Sequence, residues 1–130
     1  MNRRIALLLH SVPDGTSHVD LLLAPDARVR ADDERAVPTW RCPTRPDRAP
    51  PKSELPIERI GDHRARYLRL AEPCDLSDGR GRVEPLRSGT ASDEAGILRV
   101  SWSDGGESRW HLSLALTGWV LRIESNSDGG

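Results

Sequence analysis

Lysine occurs once in the 130 residues, at Lys52, against 18 arginines; there is one methionine, one tyrosine and no phenylalanine. The arginine bias is read first as a coding bias, although guanidinium groups suit bidentate phosphate contacts whatever supplied them. A formal net charge of -1 excludes a globally basic nucleic-acid binder and leaves any basic character to local patches. Cysteine is nearly absent too. Cys42 and Cys74 have neither CxxC spacing nor a partner pattern, so reduced thiols are expected rather than a disulfide framework.

Long hydrophobic runs are missing. No segment approaches the roughly 20 apolar residues of a membrane helix. The run at residues 5–9, after Arg3 and Arg4, is too short for a signal peptide and lacks a small-residue cleavage site, so it reads as a strand. The expectation is a soluble, cytoplasmic protein without a membrane partner. This length supports one core and is too short for two, predicting a single domain over 1–124 with a disordered tail at 125–130.

What is present is short apolar runs separated by turn formers. Residues 4–10 and 18–24 flank Pro13, Asp14 and Gly15 and predict a β-hairpin. Its second run sets Val19, Leu21 and Leu23 on one face and His18, Asp20 and Leu22 on the other. A third strand is expected over 37–42, with Trp40 in the core. The Pro-rich stretch 43–57 has no periodicity and reads as a long surface loop or lid. Further strands are expected over 64–70, 80–86, 96–102, 108–116 and 119–124, with Leu112, Leu114 and Leu116 core-like and His111 structural or exposed. No window longer than ten residues has helical periodicity, which predicts an all-β fold, a compact antiparallel barrel or sandwich.

Three of the four histidines fall in these patterned segments. His10 closes the first run, and His18 and Asp20 share a face of the second. Two imidazoles and one carboxylate suit Mn²⁺, Fe²⁺ or Zn²⁺ with coordination positions left open for water and substrate. The plainer reading is that the two histidines flank a turn by chance and Asp20 is a solvated strand residue. His63 and Tyr67 share a face if the segment is a strand, with Arg64 and Arg66 opposite. They can equally be ordinary half-buried residues.

The order His10, Ser17-His18-Val19-Asp20-Leu21-Leu22-Leu23, Thr39-Trp40-Arg41, Asp62-His63-Arg64-Ala65-Arg66-Tyr67 and Ser77-Asp78-Gly79-Arg80-Gly81-Arg82-Val83 through Ser88-Gly89-Thr90 resembles the 3'-phosphoesterase domain of bacterial DNA ligase D. It is more similar still to short stand-alone bacterial proteins described as DNA polymerase/ligase N-terminal domain-like. The resemblance spans about residues 5–116 and implies a compact β-barrel. It also implies 3'-end healing, the removal of a 3'-phosphate or a terminal 3'-ribonucleotide from a primer, usually with Mn²⁺. By that resemblance His10, His18 and Asp20 are metal ligands, and His63 and Tyr67 contact the phosphate. A monomer is expected, acting on a nucleic-acid 3' end beside a ligase or polymerase encoded separately.

The chain also departs from that pattern. Where the ligase D domains carry an arginine and an acidic residue after the metal-binding aspartate, Leu22 and Ala24 stand here. Leu55 and Gly61 occupy the offsets of a second arginine and acid. Arg41, Arg59 and Arg80 are the candidate substitutes for the missing phosphate contacts. A catalytically inactive module that binds nucleic-acid ends or a protein partner is the rival reading, and a structural fold without metal is a third.

Overall fold

Residues 3–11 and 17–23 are apolar on both faces of the hairpin they form, so both faces require cover. In the computed structural model, which describes residues 2–128, both receive it. Nine antiparallel strands form one sheet: β1 (Arg3–Ser11), β2 (Ser17–Leu23), β3 (Arg35–Cys42), β4 (Glu54–Arg64), β5 (Cys74–Asp75), β6 (Arg82–Glu94), β7 (Ile97–Trp102), β8 (Glu107–Ala115) and β9 (Gly118–Ser127). Their order is β1-β2-β3-β4-β9-β8-β7-β6-β5, and an additional β1–β6 pairing joins eight of them into a closed ring of hydrogen-bonded neighbours. The all-β expectation holds. Among the described residues no helix is long and apolar enough to cross a membrane.

Inside the ring, Ile5, Leu7, Val19, Leu21 and Leu23 pack with Trp40, Val100, Trp102, Trp110, Leu121 and Ile123. On the opposite face, Ala6, Leu8, Leu22, Ala24 and Val37 are covered by Val83 and by Ala65 and Leu68. Full burial of a leucine side chain is worth about 1.5–3 kcal/mol, so this second, smaller layer holds the outer side of the hairpin firmly. His10, His18 and Asp20 continue the same outer strip where the apolar residues stop.

Several sequence expectations are corrected. Residues 65–69 form a 3-10 turn rather than a strand, because Ala65 and Leu68 fold back onto the outer layer. The expected loop over 43–57 is shorter. It contains a 3-10 turn at Pro46–Arg48, and Glu54–Ile57 already pair with β9. Residues 125–127, expected to fray, complete β9; residues 1, 129 and 130 lie outside the described range. Asn126 explains the extension. Its Oδ1 accepts from Trp110 Nε1 at 2.9 Å, while its Nδ2 donates to the carbonyls of Pro46 at 2.8 Å and Ala49 at 2.9 Å. Leu114 and Leu116 are exposed rather than core, because β7 pairs with β8 only as far as Trp110 and the end of the β8–β9 hairpin runs past the core. His111 is half-buried on β8, 3.5 Å from Glu124 Oε1.

The two cysteines are free. Burial, reinforced by the charge of Asp20, pushes the Cys42 thiol up to about 12, which leaves almost no thiolate at neutral pH. Thiol titration of the folded protein at pH 8 is therefore expected to count one reactive cysteine, Cys74, with the second appearing only in denaturant. Fast modification of Cys42 in the native state would contradict its burial.

Candidate metal centre

Antiparallel pairing of β1 with β2 sets His10 directly opposite His18, and Asp20 follows two residues along β2 on the same side. The rings meet edge to face, with centroids 4.7 Å apart. His10 Nδ1 lies 3.1 Å from His18 Nε2, His18 Nε2 lies 3.0 Å from Asp20 Oδ1, and His10 Nδ1 lies 3.8 Å from Asp20 Oδ2. Bond lengths of about 2.0–2.2 Å place neighbouring ligands about 2.9–3.5 Å apart around a tetrahedral or octahedral ion. Two of the three separations fall in that range. One ligand atom from each residue lies within 4.8 Å of the others, so the group can hold a metal ion.

Hydrogen bonds orient the rings. His10 Nε2 is 2.9 Å from the carbonyl oxygen of Arg80, which can only accept, so Nε2 carries a proton and Nδ1 is the nitrogen left to face His18 and Asp20. Gly81 makes that contact reachable. It has φ +100°, and a Cβ there would stand 2.0 Å from the carbonyl oxygen of Ser11, so only glycine lets this connection lie against the end of β1. The Asp20 side chain is 1% exposed, and its Oδ1 has no aligned hydrogen-bond donor despite its closeness to His18. A buried carboxylate oxygen without a donor is costly. A cation bound between these groups would satisfy it, so the donor set fits a divalent metal.

Burial holds the His18 imidazole below its ordinary pKa; Asp20 opposes this, and the charges of Arg41 and His10 reinforce it. A depressed histidine pKa contributes stability that is present above the unfolded value near 6.5 and is lost as the pH falls through the lower folded value. The same protonation removes a ligand. Metal occupancy is therefore expected to fall with acidification below about pH 6.5, together with the stability of the metal-free protein, as read by metal titration and by urea unfolding across pH 5–8. Occupancy that rises on acidification would contradict a neutral-imidazole site.

A cavity of about 260 Å³ opens beside these groups, against about 30 Å³ for a water in the liquid. Its lining includes His10, Asp20, His63, Tyr67 and Arg80. His63 is aimed by a β4 bulge: the pairing steps from Thr39↔Ile60 to Val37↔His63, leaving Gly61 and Asp62 as the irregular residues. Its Nδ1 lies 3.1 Å from the Gly61 carbonyl oxygen, and its Nε2 lies 3.4 Å from Asp20 Oδ2. Tyr67 does not follow on the same strand as expected. It stands on the 3-10 turn with its ring 6.1 Å from that of His63, so a fold-back brings together what regular alternation was expected to align.

The three candidate arginines are placed differently. Arg41 faces Asp20 across β2–β3 but is exposed and does not line the cavity. Arg59 stacks over Trp40 at 5.1 Å and binds Asp62 at 2.7 Å. Arg80 lines the cavity, yet its guanidinium bends back to Ser77, and its backbone carbonyl is what reaches His10. Two cavity-lining arginines escaped the sequence reading. Arg64 was expected to point away from His63, and Arg35 gave no local signal.

The chain matches no protein-family model, and no curated protein matches it significantly.

Proposed function

We propose that this protein is a divalent-metal-dependent phosphoesterase, with Mn²⁺ the leading ion, that removes a 3'-phosphate or 3'-ribonucleotide from primer ends in DNA repair. On this reading the ring of strands is a compact barrel. The protein works in the cytoplasm as a monomer, beside a separately encoded ligase or polymerase. The observation that carries the proposal is the convergence of His10, His18 and Asp20, whose Oδ1 lacks a donor, at the edge of an open cavity. The ordered motifs shared with the 3'-phosphoesterase domain add the substrate class.

When bound, a divalent ion supplies Lewis-acid polarisation of a phosphoryl oxygen and acidifies a water for attack. His10, fixed by the Arg80 carbonyl, offers Nδ1; His18 offers Nε2; Asp20 offers its carboxylate. His63, anchored through Nδ1 and with Nε2 3.4 Å from Asp20 Oδ2, lines the cavity, where an Nε2–H is placed to donate to a phosphoryl oxygen. Tyr67 presents a second donor beside it. Hydrolysis breaks the bond between phosphorus and the 3' oxygen, which leaves as a hydroxyl.

One observation favours the rival, an inactive module that binds nucleic-acid ends or a protein partner. Leu22 and Ala24, at the positions of the ligase D arginine and acid, are buried in the outer apolar layer and contribute no charge to the cavity. Untagged protein incubated with Mn²⁺ and a 3'-phosphorylated primer separates the two. Release of inorganic phosphate with a 3'-hydroxyl product supports the enzyme. Bound metal without turnover supports the module.

A further inference from the structure

We propose that Arg35 and Arg64 form a clamp for a dianionic phosphoryl group at the mouth of the metal cavity, replacing the charge that Leu22 cannot supply. The two residues are direct partners across β3 and β4 and line the same cavity as Asp20 and His63. Like charges opposed on neighbouring strands repel, and such a pair is ordinarily relieved by an adjacent carboxylate. The acids on the segments flanking the pair are committed elsewhere, and Asp20, in the same cavity, faces His10, His18 and His63. Glu34 binds Arg28 at 2.9 Å, Asp62 binds Arg59 at 2.7 Å, and Asp33 and Asp32 hold Arg66 and Arg69.

Arg64 Nε is buried without a hydrogen-bond partner. The backbone N–H of Ala65 donates to the Glu34 carbonyl at 3.0 Å, which ties the residue after Arg64 to the residue before Arg35 and fixes the pair's spacing. Two forked guanidiniums carrying charge +2, with an imidazole and a phenol beside them, match a phosphate dianion in both charge and donor geometry. The clamp rests on the phosphoesterase reading for the source of the phosphate but not for the metal.

The test uses the full chain, both EDTA-treated and Mn²⁺-loaded, in binding titrations with inorganic phosphate, a 3'-phosphorylated oligonucleotide and its 3'-hydroxyl counterpart. R35Q and R64Q are each expected to weaken binding of the phosphorylated oligonucleotide about tenfold or more, in both metal states. Binding of the hydroxyl form and affinity for Mn²⁺ should not change. R122Q, an exposed arginine on β9, is the control and should behave as wild type. If R64Q fails to fold by circular dichroism, R64K and R35Q carry the test. Wild-type affinity in both arginine variants overturns the clamp, and so does an equal loss for the 3'-hydroxyl form. Phosphate binding that depends on both arginines in a protein that takes no Mn²⁺ supports the clamp and removes the phosphoesterase. Inorganic phosphate bound as tightly as the oligonucleotide, with the same arginine dependence, supports the clamp and assigns it to a small phosphate instead.

Discussion

Asp20→Asn is expected to abolish metal binding while making the metal-free protein more stable. Asp20 is 1% exposed, and its Oδ1 has no aligned donor, so without an ion the carboxylate is a buried charge beside imidazole nitrogens. Removing such a charge without changing shape relieves desolvation, and a gain of about 1–2 kcal/mol is expected from urea unfolding in EDTA at pH 7.5. Mn²⁺ affinity should fall at least about 100-fold, beyond the 10–100-fold losses typical of outer-sphere changes. Opposite signs in the two measurements distinguish a preformed ligand from a structural ion pair. If the asparagine variant is less stable in EDTA, Asp20 serves to hold a protonated histidine, and the metal assignment loses its main support.

Asn126→Ala is expected to cost about 2–3 kcal/mol, far more than an ordinary surface substitution near a chain end. The amide joins three elements through one side chain: it accepts from Trp110, which is fully buried, and donates to Pro46 and Ala49. Its loss leaves the indole N–H and the Ala49 carbonyl without this partner, and the Pro46 carbonyl with only the long 3.4 Å bond from the Ala49 N–H. The Pro-rich segment keeps its other ties to β9, the backbone bonds between Lys52 or Ser53 and Ile123, so the sheet should survive with a lower denaturation midpoint. An unchanged midpoint would show that water satisfies these groups and that the end of β9 is dispensable.

The hairpin and its candidate ligand trio were legible in the sequence because both depend on local rules. Alternation puts His18 and Asp20 on one face, and the short turn brings His10 across from them. Non-local arrangements were not legible. Tyr67 reaches His63 because Ala65 and Leu68 must cover the outer layer, a demand created by Leu8 and Leu22 some forty to sixty residues earlier in the chain. Arg35 enters the cavity through a pairing with Arg64 that two register shifts determine, and bulges carry no clear sequence mark here. Asn126 was read as tail because polar Ser and Asn residues have nothing to bury, yet its role is to satisfy polar groups of other segments. Leu114 and Leu116 failed in the other direction: their spacing continues that of Trp110 and Leu112, but the end of the β8–β9 hairpin projects past β7 and the core.

The most direct test of the metal centre is anomalous diffraction at the manganese edge from crystals of untagged protein grown with Mn²⁺. One peak is expected, about 2.0–2.2 Å from His10 Nδ1, His18 Nε2 and an Asp20 carboxylate oxygen. Absence of a peak there at full Mn²⁺ occupancy, or a peak bound by other residues while these three keep their present contacts, would contradict it.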